Sequence, residues 1–525
     1  MRAVGRQDPD VTKNASSSVA ATDVTHVGAA ASDEQGLAKG AVSGLGVFSQ
    51  GLAAAAPSVA IASVPASLFL VAGKGAVWAA IAAGVLVYLI ACVISMQARR
   101  TVSSGSLGTY AGNGLGPWAA FVTGWALIIG YVGFAAAGVL GAVLYFNSFI
   151  VQLGAPADNE AIKVAILLIA SAAATYLPLR GVSLSVKVGL GFEVVSLIAI
   201  FIVIGASYVT YGAHVDTAQW SLSHLTGSRT FIAAVTGVGA YAGFESAASL
   251  GLEARDAHRN LPRAILRLVI ALSIIYLLST YPEVLGFNGP HGTLGPDSTP
   301  LPVVAANANV SWTSYIIDIT LGIAMIVFAA AVINAGARSL FTLSRERALP
   351  KPFGQVHQGF RTPYVSILLI GAIGLALGLY GTVSPVGRLQ WDVYVGIVSS
   401  YAYLLAYLLV AISTPLWLHR IRTLRPAHVI VSLLAAAGIG YVIYNNLVPV
   451  PASPYNVLPY VFLGLILIGV GLYLYLLRYR PEVARRVGSI QTLSEAEQER
   501  LAALGLLEAI GQTGDTPRAA AGGAA

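Results

Sequence analysis

Two stretches of this sequence place helix-breaking residues inside otherwise apolar runs. The first spans residues 53–59 and reads Ala-Ala-Ala-Ala-Pro-Ser-Val, with a further proline at Pro65. The second spans residues 237–245 and reads Gly-Val-Gly-Ala-Tyr-Ala-Gly-Phe-Glu. Proline removes one intrahelical hydrogen bond, and each glycine weakens a helix by about 1 kcal/mol. Either stretch alone would be read as an ordinary kink, but the two together predict a pair of interrupted helices.

An interrupted helix can bind charge at both of its new ends. The free N–H groups at the start of a half-helix carry a partial positive charge that suits a carboxylate, and the freed carbonyls of the other half suit an ammonium. We predict that the first break binds a carboxylate through the backbone of Ala56, Pro57 and Ser58. The residues predicted to contact an amino group and a side chain lie in the second break: Gly239, Ala240, Tyr241 and Gly243.

Among the carboxylates within the apolar runs of the chain or near their ends, four bear on function. An ionised carboxylate at mid-bilayer costs about 2.5–3.5 kcal/mol, so such a residue usually faces a helix bundle or water. Glu193 and Glu245 lie deep in their runs, where they either fix helix packing through hydrogen bonds or exchange a proton. Glu283 and Asp318 lie near run ends, where we expect solvated side chains.

Composition indicates that the elements positioning these residues are membrane helices. Of the 525 residues, 56% are hydrophobic and only 10% are charged. A soluble domain carries about 25% charged residues, and a soluble chain of this length could not cover its surface with so few. The lipid bilayer must therefore be the solvent for most of the chain. The single cysteine, Cys92, excludes an intrachain disulfide.

Apolar runs long enough to cross the bilayer occur twelve times. A crossing helix needs about 20 apolar residues for about 30 Å of hydrocarbon, whereas barrel strands alternate over about ten residues. The runs lie at 46–71, 75–97, 117–150, 164–180, 188–211, 230–251, 264–288, 314–336, 363–383, 391–418, 427–447 and 455–477. We therefore predict an all-α membrane protein of about twelve transmembrane helices, with the first and sixth helices broken.

Basic residues in the connecting loops predict the orientation. With the N-terminus inside, sixteen Lys and Arg side chains fall in cytoplasmic loops, and four fall outside: Lys74, Lys163, Arg229 and Arg388. Membrane proteins carry such an excess of positive charge in their cytoplasmic loops. The bias also accounts for the formal charge of +7 without a nucleic-acid partner. We predict a multi-pass protein of the cytoplasmic membrane with both termini in the cytoplasm.

The chain divides into three regions by composition. Residues 1–38 are polar and mixed in charge, which predicts a disordered cytoplasmic tail without a signal peptide. Residues 39–480 form the twelve-helix domain. Residues 481–525 form a second cytoplasmic tail, with a short acidic helix predicted at 493–510 and a disordered end rich in Ala and Gly. Composition alone favours a solvated tail without further function.

Several motifs in chain order resemble those of the amino acid–polyamine–organocation superfamily of permeases. They are Gly-Ser-Leu-Gly-Thr-Tyr at 105–110, Leu-Gly-Pro at 115–117, Tyr-Ala-Gly-Phe-Glu at 241–245, Leu-Pro-Arg-Ala-Ile at 261–265 after Glu253, and Asn-Ala-Gly-Ala-Arg at 334–338. The first break departs from the family, because Ala56-Pro57-Ser58 stands where a Gly-Ser-Gly break is common. Over residues 39–480 the resemblance implies a five-plus-five inverted repeat with two additional helices and alternating access around a midplane site.

The resemblance also implies a function, namely secondary active transport of amino acids or related small amines. Proton symport is the favoured mode, and exchange or sodium coupling are the alternatives. Proton-coupled members often carry a lysine in the fifth span at the position that matches Ser196 here. Two interpretations remain: Ser196 helps to bind sodium, or a carboxylate takes the proton, with Glu245 ranked before Glu193.

Gly239 carries a separate prediction about the size of the site. Several members of the superfamily have an aromatic residue at the matching position, where it covers the substrate side chain. Glycine removes that wall, which predicts room for a medium or large apolar side chain. The alternative is that another span fills the gap, because protein interiors pack closely.

Other functional classes lack their sequence signatures. All eight histidines fall in tails, loops or span ends, and no His-Glu-x-x-His pair could bind zinc. No Gly-Lys-Ser/Thr phosphate loop supports ATP-driven transport, and no repeated ring of polar groups supports a channel. We therefore expect neither enzyme activity nor a metal or cofactor. The expected partners are a small-molecule substrate, a co-transported proton or sodium ion, and the lipid bilayer.

Overall fold

The computed structural model describes residues 40–156, 159–211, 216–226, 228–289, 292–293, 300–450, 453–489, 492–493 and 495–504. The predicted tail at 1–38 lies outside these residues. The helices are α1 (Gly44–Ala55), α2 (Pro57–Ala72), α3 (Ala76–Ala98), α4 (Leu107–Leu115), α5 (Pro117–Gln152), α6 (Glu160–Arg180), α7 (Val182–Tyr211), α8 (Ser228–Gly239), α9 (Ala257–Gly286), α10 (Pro300–Asn307), α11 (Thr313–Arg345), α12 (Tyr364–Val383), α13 (Arg388–Arg420), α14 (Pro426–Leu447), α15 (Leu458–Tyr479), α16 (Pro481–Arg486) and α17 (Glu495–Ala503). The strands pair as β1 (Thr101–Val102) with β4 (Thr492–Leu493) and as β2 (Asn288–Gly289) with β3 (Gly292–Thr293).

Long apolar helices confirm the predicted all-α membrane class. Eleven helical stretches of the described chain are long and apolar enough to cross a membrane, and the first, Gly44–Ala98, is 55 residues long. Both ends of that stretch lie beside the start of α9. Gly44 lies against Asn260, and the Ser95 hydroxyl donates to the carbonyl of Pro262 at 3.5 Å. The chain therefore reverses at the 3-10 turn of residues 73–75 and crosses twice, so that the stretches comprise the predicted twelve crossings.

This helical bundle has two sides, the tail face and the far face. The tail face holds Gly44, Ala98 and the start of α9, and the far face holds the turn at residues 73–75. The predicted crossings agree with the helices to within a few residues, except that α11 ends at Arg345 rather than at 336, α7 begins at Val182 rather than at 188, and α9 begins at Ala257 rather than at 264. Its first two turns carry Arg259 and Arg263, which extend the helix beyond the apolar run that the sequence shows.

Both predicted helix interruptions are confirmed. Ala56 adopts a left-handed conformation with φ of 43° between α1 and α2, and Pro57 starts the second half-helix. Proline suits that position, because the first residue of a helix needs no N–H donor. The sixth crossing ends its α-helix at Gly239, passes through a turn at residues 240–243 and resumes as a 3-10 helix at Phe244–Leu250.

Helix α5 lies at the centre of the bundle, where it packs against α11, α12 and α13. Small residues allow these close approaches, as is usual between membrane helices. A side chain at Gly130 would meet Tyr403 of α13, and one at Gly336 of α11 would meet Tyr131 of α5. Helices α14 and α15 lie at the periphery, since only 22% of the most apolar 18-residue stretch of each helix is buried. The two broken crossings therefore belong to the packed interior, and the last two crossings belong to its rim.

The segment after the last crossing packs against the tail face. Strand β4 pairs with β1 in the loop before α4, and Gly488 donates its amide to Glu346 Oε1 at 2.9 Å. Leu493 and Leu501 are buried against Trp417 at the end of α13. The prediction of a helix in this segment is confirmed by α17, whereas the expectation of a solvated tail is wrong for the described part. Apolar side chains spaced along a charged segment explain the docking, and residues 505–525 lie outside the described part.

Candidate functional site

The start of α2 holds the first buried carboxylate. Pro57 has no N–H, so Ser58 presents the first amide of this half-helix. Glu193 of α7 accepts a hydrogen bond from the Ser58 amide at 2.7 Å through Oε1, and one from the Ser58 hydroxyl at 3.1 Å through Oε2. Both residues are buried, with Glu193 only 4% exposed. The backbone group predicted to receive a substrate carboxylate is thus occupied by a carboxylate of the chain itself, and the prediction for Ala56, Pro57 and Ser58 stays a prediction.

Ser196 lies one helical turn after Glu193 and is fully buried. Its hydroxyl lies 3.0 Å from the carbonyl oxygen of Phe192 and 3.1 Å from that of Thr320 on α11. A hydroxyl has one proton, so it donates to these two carbonyls in turn. Ser196 thereby joins α7 to α11 beside the first break. Its suggested part in sodium binding stays a prediction.

The second break holds the other deeply buried carboxylate. Glu245 accepts three hydrogen bonds, from the Tyr131 hydroxyl at 3.1 Å, the Tyr407 hydroxyl at 2.5 Å and the Gly243 amide at 3.0 Å. The two tyrosines belong to α5 and α13, and Glu245 itself is fully buried. One carboxylate therefore connects the second break to α5 and α13. A packing role and a proton-exchanging role both remain compatible with this geometry.

The two breaks touch each other inside the protein. Gly243 has a φ of 101°, and a side chain there would overlap the carbonyl oxygen of Ala54. On the same surface, a side chain at Gly51 would come within 3.1 Å of the carbonyl oxygen of Phe244. Only glycine satisfies both the backbone angle and the close approach at position 243. The sequence therefore uses Gly243 to bring the sixth crossing against the first.

A cavity of about 340 Å³ adjoins the second break on the side of the far face. Gly239 and Ala242 form one wall, and Tyr403 and Tyr407 of α13 form another. Its outer end reaches Asn446, in the last turn of α14. Such a volume lies at the lower end of the range for small-molecule sites, which is about 300–1,000 Å³. The Glu245 carboxylate lies directly behind the hydroxyl of Tyr407.

The predicted contacts of the second break separate into two groups. Gly239 lines the cavity, and nothing lies within 4 Å of the position its side chain would take, so no other span fills the gap. Tyr241 instead points away from this cavity, since its hydroxyl donates to Ser273 of α9 at 3.1 Å. The Ala240 carbonyl accepts a hydrogen bond from the Tyr276 hydroxyl at 2.9 Å. The cavity therefore presents Gly239 rather than Tyr241 or the Ala240 carbonyl.

In the described part of the chain, neither of these two carboxylates forms an ion pair with a basic side chain. Residues 47–65, 188–211 and 233–250 contain no Lys, Arg or His. Ion pairs found in the described part of the chain join Lys74 to Asp216, Lys163 to Glu160, Arg338 to Glu253, and Arg500 to Glu497. A buried carboxylate without a cation is costly unless hydrogen bonds, a proton or a bound cation stabilise it. The described residues of the chain include no group of three or more His, Cys, Asp or Glu side chains that could hold a metal ion.

Comparison with known proteins identifies the family. The sequence profile described as amino acid permease matches residues 38–471. The chain belongs to the amino acid permease family. Its members are permeases rather than enzymes, and this permease shares their multi-pass helical architecture.

Individual relatives of this permease are moderately similar to it. An uncharacterized transporter of Mycobacterium tuberculosis is 28% identical over 314 residues, which is 58% of this chain and 66% of the relative, just under two thirds of its length. A branched-chain amino acid permease of Bacillus subtilis is 25% identical over 360 residues, 65% of this chain and 76% of the relative. A low-affinity putrescine importer of Escherichia coli is 26% identical over 293 residues, 53% of this chain and 61% of the relative.

Below the breaks, the tail face of this permease is closed by buried polar contacts. Arg338 of α11 forms a bidentate ion pair with Glu253, at 2.7 and 3.1 Å, and also contacts the Asn334 side chain. The Asn334 amide donates to Gln50 of α1 at 3.0 Å. Glu253 and Arg338 belong to two of the motifs noted in the sequence, and the structure makes them partners. These contacts join α1, α11 and the segment after the second break on the side of the tail face, whereas the cavity lies towards the far face.

The tyrosines around the cavity were missed by the sequence analysis. Tyr131 and Tyr407 hold Glu245, whereas the buried Tyr403 hydroxyl has no hydrogen-bond partner in the described part of the chain. A buried tyrosine hydroxyl usually finds a partner, so an unpaired one beside a cavity marks a group available to a ligand. The signal in the sequence was a pair of tyrosines four residues apart in an apolar run, which places them on one face of a helix.

Two carboxylates near the far face are more buried than the sequence suggested. Glu283 is fully buried, and neither of its carboxylate oxygens has a hydrogen-bond partner in the described residues. Asp318 is 5% exposed and accepts hydrogen bonds from Ser148 at 2.5 Å and Gln152 at 2.6 Å. The expectation of solvated side chains is therefore wrong for both, because the end of α5 covers Asp318 and the short helix α10 packs against the end of α9 that carries Glu283.

Proposed function

We propose that this permease is a secondary active transporter that carries amino acids or related small amines across the cytoplasmic membrane by alternating access, coupled to a proton. The observation that carries the proposal is the contact between two broken helices, each holding a buried carboxylate without a basic partner, beside a cavity. Discontinuous helices near the bilayer midplane are where transporters of this kind bind substrate and coupling ion. The relatives named for branched-chain amino acids and for putrescine support the substrate class.

The proposal includes an architecture and an orientation. Residues 39–480 form the transporter domain between two cytoplasmic tails, and a five-plus-five inverted repeat relates the first and sixth crossings. Helices α14 and α15, which lie at the rim, are the two additional helices. The excess of basic residues in the loops of the tail face makes that face cytoplasmic. The sealed tail face and the cavity towards the far face then correspond to an outward-directed state.

The substrate body lies in the cavity beside Gly239, which leaves room for a medium or large apolar side chain. Backbone groups of Ala240, Tyr241 and Gly243 become accessible as the second break rearranges, and those of Ala56, Pro57 and Ser58 are the candidate site for a carboxylate. In the present state, Tyr276 hydrogen-bonds to the Ala240 carbonyl and Glu193 to the Ser58 amide. A substrate can bind either backbone group only after the hydrogen bond that covers it is broken. Such exchange of hydrogen bonds is how binding shifts a two-state equilibrium.

The coupling ion is a proton, and Glu245 is its first candidate site before Glu193. Glu245 contacts the second break directly through the Gly243 amide, so a change of its protonation alters the segment that must move. One charge moved through 100 mV supplies about 2.3 kcal/mol, which is enough for roughly fifty-fold accumulation of a neutral substrate. Ser196 would contribute to coupling only if sodium replaces the proton.

The test is uptake into proteoliposomes that contain the full-length protein. With an imposed inward pH gradient and no sodium, we expect accumulation of labelled substrate, and counterflow should show a transient overshoot. Glu245→Gln should abolish gradient-driven accumulation but retain counterflow, because the substrate site persists while the proton site is lost. A strict sodium requirement would overturn proton coupling and leave Ser196 as the first candidate. Accumulation that survives in both Glu245→Gln and Glu193→Gln would exclude both carboxylates, and the absence of counterflow for every substrate would overturn transport itself.

A further inference from the structure

The first break binds a carboxylate that never leaves the protein. Glu193 contacts Ser58 through both carboxylate oxygens, one on the amide and one on the hydroxyl, so the first amide of α2 is already satisfied. The N-terminus of a half-helix stabilises a single anionic group at this point. An amino acid substrate would bring a second carboxylate to a position that Glu193 occupies.

We propose that Glu193 stands in for the substrate carboxylate, and that the substrate of this permease is an amine cation without a free carboxylate. This inference rests on the proposed transport function and makes its substrate class specific. Glu193 is then a specificity-determining residue. It fills the carboxylate subsite from within the protein and leaves the rest of the site to the amino group and the apolar body.

The charges of the site favour this substrate class over a zwitterion. Glu193 and Glu245 are both buried, and neither forms an ion pair in the described part of the chain. Residues 47–65, 188–211 and 233–250, which hold the two breaks and the two carboxylates, contain no Lys, Arg or His. An amine adds the missing positive charge. A zwitterion adds no net charge and would have to displace Glu193, which would then lose both of its hydrogen bonds in a segment without a cation. Leaving a buried charge without partners is strongly unfavourable.

The cavity walls fit a cation with an apolar body. Tyr401, Tyr403 and Tyr407 line the cavity, and aromatic faces attract an ammonium group. The Tyr403 hydroxyl is buried and has no hydrogen-bond partner among the described residues, so it is available to a ligand. Behind Tyr407 lies the Glu245 carboxylate, which contributes negative potential to the same wall. Val238 and Ala242 complete an apolar surface for the substrate body.

The test compares amines with the amino acids that differ from them only by the carboxylate. Suitable pairs are 3-methylbutylamine with leucine, 2-phenylethylamine with phenylalanine, and putrescine with ornithine. Binding is measured by the thermal shift of the purified full-length protein, and transport by competition and uptake in proteoliposomes. In at least one pair, we expect the amine to bind roughly tenfold or more tightly than its amino acid, because the amino acid must break charged hydrogen bonds.

Two variants of Glu193 separate its two roles. Glu193→Gln keeps a hydrogen-bond acceptor on the Ser58 amide but removes the charge, so amine affinity should fall about tenfold without a gain for the amino acid. Glu193→Ala vacates the amide, so the preference should shift towards the amino acid member of the same pair. If Glu193→Ala does not fold, the wild-type comparison and Glu193→Gln still decide the matter.

The outcomes distinguish this inference from the proposed function. If the amino acid binds and is transported better than its amine in every pair that the wild type binds, the role of Glu193 is overturned, while transport itself stands. An unchanged preference in a folded Glu193→Ala variant would also overturn it. If no member of any pair is bound or transported, whereas another solute is transported, the proposal that the substrate is an amine is refuted. If no solute gives counterflow, the transport function falls with it.

Discussion

The two broken crossings solve the same physical problem in different ways. Each exposes backbone groups in the interior of a membrane protein, and each holds one buried glutamate beside them. At the first break, Glu193 comes from another helix and satisfies the start of α2 through Ser58. At the second break, Glu245 belongs to the broken segment itself and accepts hydrogen bonds from Tyr131 and Tyr407. The first break is thereby filled, whereas the second opens on a cavity.

This difference assigns different work to the two breaks. A half-helix whose first amide is already hydrogen-bonded has no need of a ligand. At the first break, Glu193 makes this hydrogen bond and provides a fixed negative charge. A turn that is lined by a glycine and by tyrosines can accept a ligand and reorganise around it. We therefore expect substitutions at the first break to change whether amines or amino acids are selected, and substitutions at the second break to change the transport rate and the size of substrate that is accepted. The predictions below test that division.

The largest effect is expected where the breaks touch. Gly243→Ala would force an L-residue to a φ of 101° and place its side chain on the Ala54 carbonyl. A left-handed backbone alone costs about 1–2 kcal/mol, and the steric overlap adds to it. We expect uptake to fall at least about tenfold, with a lower melting temperature. Gly205→Ala in α7 is the matched control, because nothing lies within 4 Å of that side-chain position and Gly205 does not line the cavity. Equal behaviour of the two variants would contradict the close contact.

Glu245→Gln is expected to reduce transport strongly without altering selectivity. The variant loses the charge that three donors stabilise, and a hydrogen bond to a charged group is worth about 1.5–3 kcal/mol. Uptake rates should fall by about 10- to 100-fold. The ratio of amine to amino acid binding should stay as in the wild type, in contrast to Glu193→Ala. A changed ratio in Glu245→Gln would show that discrimination between amines and amino acids is not confined to the first break.

Gly239→Trp tests whether the cavity beside the second break holds the substrate body. The indole would fill space that is open in this structure, so large substrates should lose about tenfold or more in affinity while small ones are retained. Competition assays with a series of amines of increasing length measure the shift. Unchanged selectivity would remove Gly239 from the pocket and would separate the cavity from the transport path.

The smallest effects are expected from single tyrosine substitutions around Glu245. Tyr131→Phe and Tyr407→Phe each remove one donor and leave the carboxylate with two others. Since the donated bond is longer for Tyr131 than for Tyr407, Tyr131→Phe should cost less, by a few-fold against about tenfold in uptake rate. Tyr403→Phe removes a hydroxyl that has no partner in the described structure, so it should affect ligand binding but leave the melting temperature unchanged.

The sequence predicted the breaks well because their cause is local. Pro57 and Gly243 act through their own backbone chemistry, which is visible in a single stretch of sequence. The partners of Glu193 and Glu245 could not be predicted in the same way. Ser58 is 135 residues away from Glu193, and Tyr407 is 162 residues away from Glu245. Such contacts depend on how helices pack, and hydropathy carries no information about which polar faces meet.

The docking of the C-terminal segment was missed for a related reason. Leu493 and Leu501 are separated by charged residues, so composition favoured a solvated tail. Their burial depends on Trp417 and on β1, which belong to distant parts of the chain. Crossing number was more predictable, since it depends only on the length and polarity of each run. The burial of Glu283 was less predictable, because the apolar runs give no sign that the short helix α10 packs against the end of α9.

The most direct test of the account is a cryo-EM structure of the full-length permease in nanodiscs with a saturating amine that it transports. We predict density for the amine in the cavity between Gly239 and Tyr407, with the Glu193 carboxylate still on the Ser58 amide. Density outside the region of the two breaks would contradict the proposed site. An amino acid whose carboxylate lies on the Ser58 amide, with Glu193 turned away, would contradict the central claim that this protein supplies its own carboxylate.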